Sequence, residues 1–271
     1  MARVAFKISV GLVTGALILV AISLYMSNYY LKEQARLAQA GDLRGARIEA
    51  ERAASLDPFS PTPPTSMAYL ELRQGRAEAA AEDLREAIRR DPANYKNYVE
   101  LGNLQRQQLA DPKAAADSYR EALKYNPYGT AVISRLGGVL LSTGDLEGAQ
   151  AQYERLQDLG KLPIEGLYTL GKIQVRLGDT EKAIKMFEEA KENAARDLES
   201  GSLNEQQKAD RNAFIQGQDL AIADALVVQR SYAQAREVLL QSSSEQAPSI
   251  LALLDEDPES YRKSVLDAPI G

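Results

Sequence analysis

One spacing constrains this chain more than any other. Asp57-Pro58, Asp91-Pro92 and Asn126-Pro127 place their prolines 34 and then 35 residues apart. Each follows an apolar-periodic stretch with an alanine five residues before the proline (Ala53, Ala87, Ala122), and Ala46, Ala80 and Ala115 stand seven residues earlier still. Leu101-Gly102, Leu136-Gly137 and Leu170-Gly171 recur at 35 and 34, and Gly144-Asp145 and Gly178-Asp179 at 34. A period of this length marks one supersecondary unit. Such a unit cannot bury its apolar face alone, so successive copies must stack.

The residue types fit two antiparallel helices per period. Gly41, Gly75, Gly144 and Gly178 suit the left-handed position that ends a helix, and Asp42, Asp145 and Asp179 suit the N-cap of the next. Small residues at Gly102, Gly137 and Gly171 allow the two helices of a unit to pack closely, and Ala46, Ala80, Ala149 and Ala183 serve the same purpose on the second helices. Proline after each second helix stops it.

On these residues the chain resembles the tetratricopeptide-repeat (TPR) family, whose pattern is W-x2-L-G-x2-Y, then A-x3-F, then A and P. The fullest matches are Leu136-Gly137, Gly144, Ala149 and Tyr153, then Leu170-Gly171, Gly178, Ala183, Phe187 and Ala190. The resemblance implies an all-α TPR solenoid, a right-handed superhelix of helix-turn-helix units. We place five units at 27–60, 61–94, 95–129, 130–163 and 164–197, the third with one extra residue near Ala110-Asp111. Residues 199–215 form a loop and the start of a helix, and a degenerate sixth unit covers 216–249. The first unit has Gln34 and Leu37, and the second Ala68 and Glu71, where the family has Gly and Tyr. The tail at 250–271 is expected to cap the last repeat; the other reading is a helix lying in the groove of its own array.

A transmembrane helix precedes the repeats. No charge falls between Ile8 and Leu31, and the most apolar part, Ile8 to Met26, is nineteen residues long. At ~1.5 Å per residue that approaches the ~30 Å hydrocarbon core. Residues 1–26 are therefore read as a short cytoplasmic stub and signal anchor. Arg3 and Lys7 orient it, which places the repeats outside the cytoplasm. A cleaved signal is the competing reading, with Ala21-Ile22-Ser23 as the site. Ile8 to Ala40 is read as one nearly continuous helix that carries the anchor directly into the repeats, with Asn28 as the first place for a break. Gly11 and Gly15 form a G-x-x-x-G pair through which two such helices can pack as a homodimer.

Composition narrows the chemistry. The chain has no His and no Cys, so it lacks the usual transition-metal ligands, a thiol nucleophile and the common near-neutral acid-base side chain. Phosphate-loop and nucleophile-elbow motifs are absent. We expect no catalytic residue, no metal, no cofactor and no enzyme activity. With a net charge of −6, nucleic acid is not an expected partner.

The expected partners are proteins. In the TPR family the first helices line a concave face; the resemblance puts Tyr69, Lys96, Asn103, Arg106, Arg135, Tyr168, Lys172 and Arg176 there. Several are cationic in an acidic chain, which suits a peptide or helix carrying carboxylates. The family's chaperone-tail clamp is not reproduced: the matching positions are Val99, Asn103, Arg135, Glu165 and Thr169, and only Asn103 agrees. The functional expectation is a membrane-anchored interaction scaffold of the bacterial envelope type. Asp57-Pro58-Phe59-Ser60-Pro61 resembles TPR segments of O-antigen-ligase-type enzymes, which makes an accessory subunit of a cell-envelope polysaccharide enzyme or assembly complex the alternative.

Overall fold

A computed structural model of the chain describes residues 2–270, with side chains from Leu12 onward. The described residues form helices, taken up in antiparallel pairs. These are α1 (Ala2–Gln39) with α2 (Leu43–Leu56), α3 (Thr62–Arg73) with α4 (Ala77–Arg90), and α5 (Tyr95–Gln107) with α6 (Pro112–Tyr125). There follow α7 (Thr130–Ser142) and α8 (Leu146–Asp158), α9 (Ile164–Leu177) with α10 (Thr180–Glu199), and α11 (Glu205–Val228) with α12 (Tyr232–Gln241). Two short helices close the chain, α13 (Ala247–Glu256) and α14 (Pro258–Asp267). The chain divides into two compact units, Met1–Val132 and Ile133–Gly271.

The turn inside each pair is a repeated piece of chemistry. At the first, Gly41 has φ +87° and the Asp42 N–H reaches back to the Leu37 carbonyl at 3.0 Å. The Asp42 carboxylate then accepts from the Gly45 N–H at 2.8 Å. The same closure recurs from Asp145 to Leu140 at 2.9 Å and from Asp179 to Gln174 at 2.9 Å. It satisfies carbonyls that a helix end leaves open, and a cap then satisfies the next helix's free N–H groups. Two turns make this conformation without glycine: Ala110 has φ +51° and Arg230 has φ +65°.

Within the pairs, first and second helices meet through matched sizes. An added Cβ on Gly102 would lie 2.7 Å from the Tyr119 ring, one on Gly137 3.0 Å from Tyr153, and one on Gly171 2.4 Å from the Phe187 ring. At the equivalent positions of the other pairs the sizes change together: Gln34 with Ala50, Ala68 with Leu84, and Ala223 with Leu239, all buried. Where the family has a large aromatic, a small residue faces it; where the second helix has alanine, the first carries Gln. Glu71, in place of the family's Tyr, is buried, ion-paired to Arg47 at 2.5 Å and to Arg76. Arg47 also reaches Asp83 at 2.8 Å, so the network joins α2, α3 and α4.

The N-terminal helix runs unbroken through Asn28, whose side-chain amide donates to the Leu24 carbonyl at 3.0 Å. The repeat begins earlier than residue 27. Ser23 Oγ donates to the Leu56 carbonyl at 2.6 Å and the buried Ser27 Oγ to Ala53 at 3.0 Å, so the end of α2 packs against α1 from Ser23 onward. Ser23 satisfies an open carbonyl of the last turn of α2, and Ser27 adds a second donor to the Ala53 carbonyl, which already accepts from the Asp57 N–H at 3.0 Å; an apolar reading of the segment does not anticipate either bond. N-terminal to Ser23, the large apolar side chains from Leu12 to Ile22 are exposed. The segment from Leu12 is long and apolar enough to cross a membrane by length and composition. Gly15 has open space around it, and the side-chain surroundings of Gly11 lie outside the described residues.

The left-handed turn at Ala110 gives a direct check. A non-glycine residue there costs ~1–2 kcal/mol, and glycine returns ~0.4–1 kcal/mol through the more flexible unfolded chain. Ala110→Gly is expected to stabilise the protein by a net ~0.5–1 kcal/mol, read as a higher urea midpoint at unchanged m-value.

Candidate functional site

The residues expected along the first helices do not all form one site. Tyr69 on α3 is about half exposed, and Lys96 and Arg106 on α5 are exposed. Asn103 is engaged within the fold: its side-chain carbonyl accepts from Tyr119 Oη at 2.9 Å, which orients the ring that packs on Gly102. Arg135 on α7 is exposed. The second compact unit brings Tyr168, Lys172 and Arg176 together along one face of α9, where helical spacing of four stacks them.

These three line a cavity of ≈ 120 Å³ with Asp224 from α11 and Val265, Ala268 and Ile270 from the end of the chain. Behind them Phe187 packs on Tyr168, ring centroids 5.7 Å apart. The Lys172 ammonium stands 5.5 Å from the Tyr168 ring centroid and donates to the Pro269 carbonyl at 3.3 Å. Burial, and then the neighbouring Arg176, lower the Lys172 pKa, while Asp224 opposes them.

Helix α13 packs on α12, as a cap does, whereas α14 turns back onto α11. Tyr261 on α14 donates its hydroxyl to Asp224 Oδ1 at 2.6 Å, and Arg262 donates to the Val228 carbonyl at 3.0 Å. Residues 268–270 then reach α9. Burial raises the Asp224 pKa to about 6, against the Tyr261 hydrogen bond and Lys172, which lower it. Burial likewise raises the Tyr261 pKa, with Asp224 adding to it. Asp224 and the residues of the tail were not on the sequence list. The available signal was a lone acid inside the apolar run Ile222-Ala223-Asp224-Ala225-Leu226.

Among the described residues no group of three or more Asp or Glu is placed to hold a metal ion. What the cavity offers is cations for carbonyl or carboxylate oxygens, aromatic faces for apolar side chains, and one partly buried acid.

Comparison with known proteins agrees with this architecture. The chain matches the tetratricopeptide-repeat family over residues 65–130 and again over 164–197. The chain is a tetratricopeptide-repeat protein. Among solved structures it is similar to a crystal structure of MamA protein, at 21% identity and TM-score 0.55, covering 66% of this chain and 97% of that one. A second MamA crystal structure gives 21% identity, TM-score 0.51 and coverage of 61% and 96%. At that identity the likeness shows the helical-repeat fold. No curated protein matches by sequence.

The partly buried Asp224 sets a pH dependence. Asp224 binds its proton more tightly folded, near pH 6, than at the ordinary aspartate value of 3.8. Between those values the folded state holds the extra proton, so stability falls as pH rises through the window. Asp224→Asn keeps an acceptor for Tyr261 without the partly desolvated charge. It should be more stable than the parent by ~1–2 kcal/mol at pH 7.5, with the difference closing towards pH 4, measured by urea denaturation.

Proposed function

We propose that this chain is a non-enzymatic, membrane-anchored scaffold that binds an extended or helical segment of a partner protein on the first-helix face of its repeats. One observation carries the reading. The α9 face is occupied by the chain's own residues 268–270, with the Pro269 carbonyl on Lys172 and Ile270 lining the cavity beside Tyr168 and Phe187. That contact displays the chemistry the face accepts: a cation for main-chain or carboxylate oxygen, and an aromatic floor for apolar side chains. A partner segment with acidic and apolar residues satisfies the same groups, and Arg176 stands free to take a carboxylate beside Lys172. Arg135 extends the cationic character along the array, and Tyr69, Lys96 and Arg106 offer the same mixture on the first three repeats.

The membrane half of the reading rests on α1. Its apolar stretch from Leu12 to Ile22 projects beyond the repeat with its large side chains exposed. Such a surface in water is an aggregation liability, and insertion in a bilayer removes it. Arg3 and Lys7 ahead of it favour a cytoplasmic N-terminus and repeats on the far side. Association through Gly11 and Gly15 would make the scaffold a dimer in the membrane.

The test is crosslinking capture of full-length protein from native membranes. Lys172→Glu with Arg135→Glu should lose the partners held by the parent while melting like it. Ile270→Asp, which unseats the tail, should increase their capture. An unchanged partner set in both variants places binding elsewhere and contradicts the groove reading.

A further inference from the structure

The first three repeats have two edges, and they differ. One is built from the turns within pairs, at Gly41-Asp42, Gly75-Arg76 and Ala110-Asp111; it carries no aromatic residue. The other is built from the connections between pairs, at Asp57–Ser60, Asp91–Asn94 and Asn126–Gly129. On this second edge Phe59 is 84% exposed and Tyr128 75% exposed, and Tyr125 is also exposed, its ring stacked on Tyr98 at 5.9 Å. Phe59 and Tyr128 occupy the same place in the repeat, each directly after its proline.

The second edge is the one at the foot of the apolar helix. Ser23 is bonded to the Leu56 carbonyl, so the last turn of α2 is level with Ser23. The chain continues in that direction into Asp57-Pro58-Phe59 before α3 starts at Thr62. Arg90, at the end of α4, donates to the Ser60 carbonyl at 3.2 Å, which brings the next connection to the same edge. Tyr25 and Tyr29 of α1 are exposed at this level too.

Length adds a second argument. With α2 packed from Ser23 onward, the uncharged stretch free of the repeat is Ile8 to Ile22, fifteen residues. At ~1.5 Å each it spans ~22 Å, short of a ~30 Å hydrocarbon core. A short anchor pulls its flanking structure into the interface. That flanking structure is the edge bearing Phe59 and Tyr128, residue types that suit headgroup depth.

We propose that the connection edge of the first three repeats lies on the bilayer, with Phe59 and Tyr128 seated at the headgroup level beside the exit of α1. This rests on the reading of α1 as a membrane anchor. The edge then fixes the repeat array against the membrane, and the turn edge with Asp42 and Asp111 faces away from it.

The chain contains no cysteine, so single introduced cysteines give unique labelling sites. Full-length protein carrying Phe59→Cys, Tyr128→Cys, Lys113→Cys or Leu19→Cys, each coupled to the polarity-sensitive dye NBD, would be reconstituted in phosphatidylcholine–phosphatidylglycerol vesicles. Positions 59, 113 and 128 are exposed, so labelling leaves the core intact. We expect a blue-shifted emission at 59 and 128, and loss of emission when a lipid carries a nitroxide near its glycerol. The label at 113, on the turn edge, should stay water-like and unquenched. Quenching at 19 with water-like emission at 59 and 128 would overturn the edge contact while leaving the anchor standing. Water-like emission at 19 would overturn both. A blue shift at 59 and 128 without lipid quenching would mean that protein, such as a second copy, covers the edge, and would also overturn the proposal.

Discussion

The fold depends on one repeated contact: a residue on the first helix of a pair meeting a residue of complementary size on the second. Helices pack at a distance set by the side chains between them. In the third and fifth pairs an aromatic ring lies so close to a glycine that even a methyl group would collide, and in the fourth the Tyr153 ring would have to give way by a few tenths of an ångström. In the first, second and sixth pairs the combinations Gln34 with Ala50, Ala68 with Leu84 and Ala223 with Leu239 keep the summed volume while changing which side carries it. This is the volume-conserving exchange that packed cores tolerate. It explains how units that lack the family's glycine hold the same geometry.

The residues we propose for binding are placed by that geometry. Keeping the pairs in register presents positions four apart on α9 as one face, which is how Tyr168, Lys172 and Arg176 meet. Within the first three pairs the same register sends the connections between pairs to one edge and the turns within pairs to the other. Because α1 is both the first repeat helix and the apolar projection, one edge of the first repeats lies at the foot of that projection and no flexible tether intervenes. The tail uses what remains: α13 covers the last pair, and α14 crosses back to α11, where the Tyr261–Asp224 hydrogen bond holds it.

Much of this was legible in the sequence, and the failures have physical causes. The prolines, the glycines at the left-handed turns and the aspartate caps marked helix ends because each answers a local backbone requirement. Ala110 and Arg230 hid two such turns, since the position needs a left-handed backbone but tolerates other residues at a cost. Gln34 and Ala68 read as departures because a single helix does not reveal the size of the residue facing it. The start of the first repeat was misplaced by four residues because Ser23 and Ser27 sit within an uncharged run, and their role lies in carbonyls of another helix. Groove residues were named from the first-helix register, but the closure over Lys172 joins residues 97 apart. Only the folded path of α13 and α14 brings them together.

The most direct test of the packing account is a double-mutant cycle on Gly171→Ala and Phe187→Leu, read as unfolding free energy in urea. Alanine is the better helix former by ~1 kcal/mol, yet the clash with the buried Phe187 ring should make Gly171→Ala destabilising by ~1–3 kcal/mol. Phe187→Leu alone should also destabilise by leaving space. Together they recreate the Ala–Leu combination of the second and sixth pairs, so the double variant should be more stable than the sum of the singles by at least ~1 kcal/mol. Additive effects, or a Gly171→Ala variant as stable as the parent, would contradict the account.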